Sequence, residues 1–95
     1  MNDRPQWQVI ILHEPEKVLK KLPKDLLKRM HKVIDGLSSS PTPAGCKKLV
    51  GDDNLYRVRV GDWRISYAVE KDRLIVLILE IVPRGGAYRA LPGKS

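Results

Sequence analysis

The sequence is poor in the side chains that hold metals and cross-links: it has one cysteine, Cys46, and two histidines, His13 and His31, in 95 residues. A lone thiol closes no internal disulfide, and this set offers no metal-ligand spacing, so neither a metal nor a cofactor is expected. Cys46 reads as a reduced thiol in a reducing compartment. The apolar run Val9-Ile10-Ile11-Leu12 is too short for a signal sequence or a membrane span, and no basic segment precedes it. A soluble, cytoplasmic protein without membrane contact is the expectation. No repeat or low-complexity segment occurs. Negative charge is also scarce, with 11 acidic residues against 18 lysines and arginines, a formal net charge of +7. That imbalance calls for an acidic partner: nucleic acid, an anionic membrane surface or an acidic protein. The hydrophobic fraction of 42% is ordinary for a folded chain, so the charge does not come from a disordered tail. Residues 1–95 are expected to form one domain, near the small end of what buries its own core.

The stretch Asn54 to Glu70, NLYRVRVGDWRISYAVE, organises the rest. Tyr56, Val58 and Val60 alternate with Arg57 and Arg59, the period of a half-buried strand. After Gly61-Asp62 the alternation resumes as Trp63, Ile65, Tyr67 and Val69 against Arg64, Ser66, Ala68 and Glu70. Gly-Asp between two such runs predicts a two-residue hairpin turn, the glycine supplying positive φ. The register follows: Val60 faces Trp63, Arg59 faces Arg64, Val58 faces Ile65 and Arg57 faces Ser66. Arg57, Arg59 and Arg64 then share one face. Like charges directly opposite on neighbouring strands are destabilising by up to about 1 kcal/mol. An anion between the guanidinium groups reverses the sign, and their planar forks suit phosphate. The competing reading is of solvated strand residues whose stems cover apolar surface.

Around this hairpin, residues 7–13 (WQVIILH) predict a first strand buried on both faces. Two helices are expected over about 15–22 and 24–38, divided by Pro23, with Leu19, Leu22, Leu26, Met30, Val33 and Leu37 as the packing stripe. Their outer face carries Lys17, Lys20, Lys21, Lys24, Lys28, Arg29 and Lys32, read either as a solvated face or as a rail along phosphates. Ser38 to Gly45 is a surface loop. A second hairpin is expected to turn at Lys71-Asp72 into a central strand, Leu74 to Val82, covered on both sides, with Glu80 its one polar residue. The result is an α+β fold: an N-terminal strand, a helical hairpin with both helices on one sheet face, then an antiparallel three-strand meander, β-α-α-β-β-β. The pattern leaves open where the first strand joins the sheet.

In order of elements, size and charge, the chain resembles the RelE/ParE toxin superfamily of bacterial toxin–antitoxin modules over nearly its whole length. The most specific portion runs from Leu49 to Tyr88: the KLVG lead-in, YRVRVGDWRISYAV, an apolar strand, then Arg84 and Tyr88. The G-x-[WY]-R strand pair marks the superfamily, and Arg84 with Tyr88 points to the RelE-like branch. RelE-like members are mRNA endonucleases acting mostly in the ribosomal A site, whereas ParE-like members inhibit DNA gyrase. The resemblance implies catalytic roles for Arg57, Arg59, Arg64, Arg84 and Tyr88, and RNA contacts for Lys47, Lys48 and Arg89. Arg57 and Arg59 stand where the archetype has lysines, a departure that removes candidate proton carriers because arginine stays protonated. The spacing around Arg84 is shorter than in the archetype.

The residues offer no obvious histidine–carboxylate pair of the common ribonuclease kind. His13 is expected to end the first strand and His31 to lie on a helix away from the arginines. The chemistry that fits is in-line attack of a ribose 2′-hydroxyl on the adjacent phosphate, with the arginines offsetting developing charge and Tyr88 stacking on a base or handling a proton. With no strong base, the ribosome is expected to supply substrate orientation. The alternatives are a ParE-like gyrase inhibitor and a non-catalytic RNA-binding module. The partner implied by the resemblance is an acidic RelB-like antitoxin laid over the basic face.

Overall fold

The computed structural model describes residues 6–49, 51 and 54–83. Strand β1 (Gln8–Ile11) is followed by helices α1 (His13–Lys20) and α2 (Lys24–Leu37), then β2 (Lys47–Lys48), β3 (Leu55–Val60), β4 (Trp63–Glu70) and β5 (Ile75–Pro83). The strands form one five-stranded sheet in the order β1-β5-β4-β3-β2. The expected antiparallel meander is β3-β4-β5, and β1 joins it parallel to β5, Gln8 facing Ile75 and Ile11 facing Ile78. The lead-in lysines add a two-residue strand at the far edge.

Both helices cover one sheet face. Leu19 of α1 and Met30, Ile34 and Leu37 of α2 pack against Val60, Ile65, Tyr67, Val69, Val76, Ile78 and Ile81. Each such aliphatic side chain contributes about 1.5–3 kcal/mol on burial. Tyr67 is fully buried, and its hydroxyl donates to the Pro41 carbonyl at 2.7 Å, tying the Ser38–Gly45 loop to the sheet. Burial, with Cys46 beside it, holds this phenol well above the ordinary tyrosine range. It is therefore a structural donor and not a proton carrier.

Several local expectations are corrected. His13 does not end β1; it opens α1, where the Glu16 amide donates to the Leu12 carbonyl at 3.1 Å. Pro15 sits in the first turn, where its missing N–H would have had no helical partner, and Glu14 and Glu16 face the positive end of the helix dipole. Strand β1 is half-buried, with Gln8 exposed, because among the described residues it lies at a sheet edge bonded to β5 alone. The second hairpin turns over four residues, Lys71 to Leu74, with Leu74 at φ 55, so β5 starts at Ile75. Strand β5 is interior but, among the described residues, covered by helices on one side only: Val76, Ile78 and Ile81 are buried, whereas Ile75, Leu77, Glu80 and Val82 are half-buried.

The last point depends on a bulge. Ser66 faces Glu80 while its neighbour Tyr67 faces Ile78, so Leu79 has no partner on β4. Strict alternation from Val76 and Ile78 would send Glu80 into the core. The extra residue instead returns Ile81 to the core at 2% exposure and turns Glu80 to the helix-free face.

Candidate functional site

The turn that fixes the arginine register has Gly61 at φ 62, and Asp62 is not among the positive-φ residues, the pattern of a hairpin turn with glycine first. Val60 faces Trp63, Arg59 faces Arg64, Val58 faces Ile65 and Arg57 faces Ser66. Val60 and Ile65 are in the core, so Arg57, Arg59 and Arg64 project from the opposite face, which no helix of the described residues covers. Facing residues on adjacent strands have Cβ atoms about 5 Å apart, close enough for one phosphate to bridge two guanidinium groups. Arg59 is exposed, and Arg57 and Arg64 are half-buried. Among the described residues none of the three pairs with a carboxylate; the ion pair found there joins Lys17 to Glu14 at 3.9 Å, on α1.

The register separates the two lead-in lysines. Lys47 faces Arg57 and extends the cationic row on the open face, whereas Lys48 faces Tyr56, which packs toward the core. Arg84, Tyr88 and Arg89 lie outside the described residues. The helix cations Lys17, Lys20, Lys21, Lys24, Lys28 and Lys32 are exposed on the other side of the sandwich and take no part in the arginine face. Arg29 behaves differently from that row. A Cβ built on Gly61 would lie 3.1 Å from its Nη2, so this guanidinium, carried by α2, rests against the hairpin turn.

Two residues on this face carry no role in the sequence reading. Ser66 and Glu80 complete a row across four strands, Lys47–Arg57–Ser66–Glu80, and the next row is Arg59–Arg64–Val82. The signal in the sequence was Glu80 itself, an acid inside an apolar strand, which only an added residue keeps out of the core. His31 is exposed on α2, away from the arginines, and no cluster of metal-binding side chains occurs among the described residues. A cavity of about 240 Å³ lined by Asn54, Tyr56, Val69, Glu70, Lys71 and Asp72 lies at the other end of β3 and β4, and no arginine lines it.

This two-helix, five-strand α+β fold matches solved structures of RelE toxins. The crystal structure of the isolated Escherichia coli RelE toxin superposes with a TM-score of 0.74, covering 93% of this chain and 97% of that one, at 16% identity. RelE in the archaeal RelE–RelB complex from Pyrococcus horikoshii matches with a TM-score of 0.77 at 34% identity, over 84% of this chain and 97% of that one. In sequence, a Methanocaldococcus jannaschii protein named as a toxin, RelE1, is 41% identical over 76 residues, 77% of this chain and 84% of the relative. The family described as ParE toxin of type II toxin-antitoxin system, parDE, matches residues 9–88. The chain belongs to the RelE/ParE toxin superfamily of type II toxin–antitoxin systems.

Proposed function

We propose that this toxin is a ribosome-dependent mRNA endonuclease that cleaves by attack of a ribose 2′-hydroxyl on the adjacent phosphate, leaving a cyclic phosphate and a free 5′-hydroxyl. The observation that carries the reading is Arg59 directly opposite Arg64, with Arg57 on the same face and no carboxylate paired to any of them among the described residues. Preorganised cations act most strongly where charge develops in the transition state, here on the phosphate oxygens. Tyr88, together with Arg84, completes the proposed catalytic set, and Lys47, Lys48 and Arg89 serve as RNA contacts. Lys47, in register with Arg57, is the best placed of these. Guanidinium groups cannot take a proton, so intrinsic activity is low and the ribosome supplies the orientation of the 2′-hydroxyl.

The antitoxin partner we propose is an acidic RelB-like chain. A net charge of +7 and 34% identity to RelE from an archaeal RelE–RelB complex support it. No helix of the described residues is long and apolar enough to cross a membrane, in keeping with a proposed cytoplasmic site of action. A second reading, gyrase inhibition, is favoured by one observation, the ParE description of the matching family.

Primer-extension mapping of mRNA in a translating extract tests the proposal, with a DNA supercoiling assay run beside it. Arg64→Ala and, separately, Tyr88→Phe are expected to lower cleavage at least about tenfold, equivalent to roughly 1.4 kcal/mol of barrier. Full cleavage by both variants, or loss of supercoiling without mRNA scission, refutes it.

A further inference from the structure

We propose that Glu80 is the general base of the cleavage reaction, accepting the proton of the attacking 2′-hydroxyl. The inference rests on the endonuclease reading above and supplies what the arginines cannot. The bulge at Leu79 turns Glu80 onto the arginine face, in direct register with Ser66, which in turn faces Arg57. Neighbouring strands lie about 4.8 Å apart, so Arg57 and Glu80 flank Ser66 from either side. Arg64 lies diagonal to Glu80, a relation that spans about 7–8 Å between backbones. A phosphate held between Arg57 and Arg64 would therefore sit over Ser66, with its own ribose within reach of the Glu80 carboxylate. The Ser66 hydroxyl, one strand away, can donate to a phosphate oxygen or to that carboxylate.

Among the described residues, the surroundings leave the carboxylate available. Glu80 forms no ion pair among the described residues, although Arg57, Arg64 and Lys47 share its face. The strand on its other side, β1, ends at Ile11 opposite Ile78, and His13 beyond it belongs to α1. The other carboxylates near the hairpin are less well placed. Glu70 is four residues along β4 from Ser66, about 13 Å away, and Asp62 is in the turn.

In the step proposed, the Glu80 carboxylate takes the 2′-hydroxyl proton as the 2′-oxygen forms its bond to phosphorus. The bond from phosphorus to the 5′-oxygen breaks, that oxygen takes a proton from solvent water, and Glu80 returns its proton to solvent. A positioned base of this kind contributes about 10²–10⁴-fold.

The test uses the full chain and ribosomes programmed with an mRNA whose cleavage site has been mapped with the wild-type protein. Single-turnover rates are measured from pH 6 to 9 for wild type, Glu80→Gln and Glu80→Asp, and affinity is read separately on the same mRNA carrying a 2′-deoxy nucleotide at the cleaved position. Glu80→Gln is expected to cut at least about a hundredfold more slowly and to show a steeper rise of rate with pH than wild type, because hydroxide must then take the 2′-hydroxyl proton. Its affinity for the deoxy mRNA should stay within threefold or tighten, and Glu80→Asp should recover part of the rate. A residue that merely steers Arg57 would leave the pH profile unchanged, and that result overturns the proposal. So does a wild-type rate in Glu80→Gln. Cleavage by wild type with either outcome spares the endonuclease reading, whereas failure of wild type to cut in the initial mapping overturns both.

Discussion

Removing the positive charge of Arg59 should make the isolated protein more stable and less active. Arg59 directly faces Arg64, and Arg57 lies two positions away on the same strand face. With charge centres about 6 Å apart, two cations in water repel by roughly 0.7 kcal/mol before screening. A Debye length of about 8 Å at physiological salt roughly halves that. Summed over both neighbours, Arg59→Gln relieves roughly 0.5–1 kcal/mol, in line with measured like-charge cross-strand pairs. For a chain of this size the melting temperature should rise by roughly 2–6 °C. The gain should grow at 10 mM salt, where screening reaches about 30 Å, and vanish at 1 M. Glutamine keeps most of the aliphatic stem, so the comparison isolates charge from packing. On the functional side, losing one phosphate contact should flatten the slope of log affinity against log salt for single-stranded RNA by about 0.7. Thermal melts at three salt concentrations and RNA titrations provide the assay. A melting temperature that falls, or a rise that persists unchanged at 1 M salt, would show that the arginines are held by interactions other than those described, and the phosphate-clamp argument would lose its basis.

Gly61→Ala should destabilise by about 1–2 kcal/mol, because alanine resists φ 62 and its Cβ would lie 3.1 Å from Arg29 Nη2; a denaturant melt reads the loss, and an unchanged midpoint contradicts the turn geometry. Tyr67→Phe removes the donor to the Pro41 carbonyl and should cost about 1 kcal/mol at neutral pH. Because burial raises the folded-state pKa of Tyr67 above its ordinary 10.0, its contribution is intact below about pH 10 and is lost as pH climbs beyond it. The wild type should therefore lose stability relative to Tyr67→Phe by up to about 1.4 kcal/mol per pH unit above pH 10, measured by urea melts.

The arginine hairpin was fully legible in the sequence because its information is local. Two alternating runs joined by Gly61-Asp62 admit one register, and every facing pair from Val60–Trp63 to Arg57–Ser66 is found as expected. The helices were legible for the same reason, since Leu19, Met30, Ile34 and Leu37 recur at helical spacing and are buried. What pattern could not supply was long-range. The apolar run at Val9–Ile11 is equally compatible with a doubly buried strand and with a parallel edge strand, and only pairing with β5 decides. His13 was misplaced because a β-branched run continues by propensity until something stops it, and the stop here is the capping Leu12 carbonyl and not the proline. The lysines divide by strand parity, which a lead-in of two residues is too short to reveal: Lys47 joins the arginines and Lys48 does not.

The bulge at Leu79 links the fold's packing to its chemistry. A five-stranded sheet with helices on one side needs Val76, Ile78 and Ile81 on the same face, and a two-residue period cannot deliver both Ile78 and Ile81. One extra residue resolves the conflict in favour of the core, and the polar residue released by that shift emerges beside the arginines. Losing the bulge with Leu79 still in the strand would thus be felt twice, once as Glu80 forced toward apolar neighbours and once as a cationic face left without its acid. Burial of an unpaired carboxylate is the more costly of the two, by several kcal/mol, so the core enforces the placement of Glu80 whatever its role in cleavage. Core packing alone would be satisfied equally well by serine, threonine or glutamine at position 80, because each would rest on the open face without strain. The carboxylate is the part of the arrangement that packing leaves unexplained, and proton transfer is the reaction requirement that the guanidinium groups leave unmet.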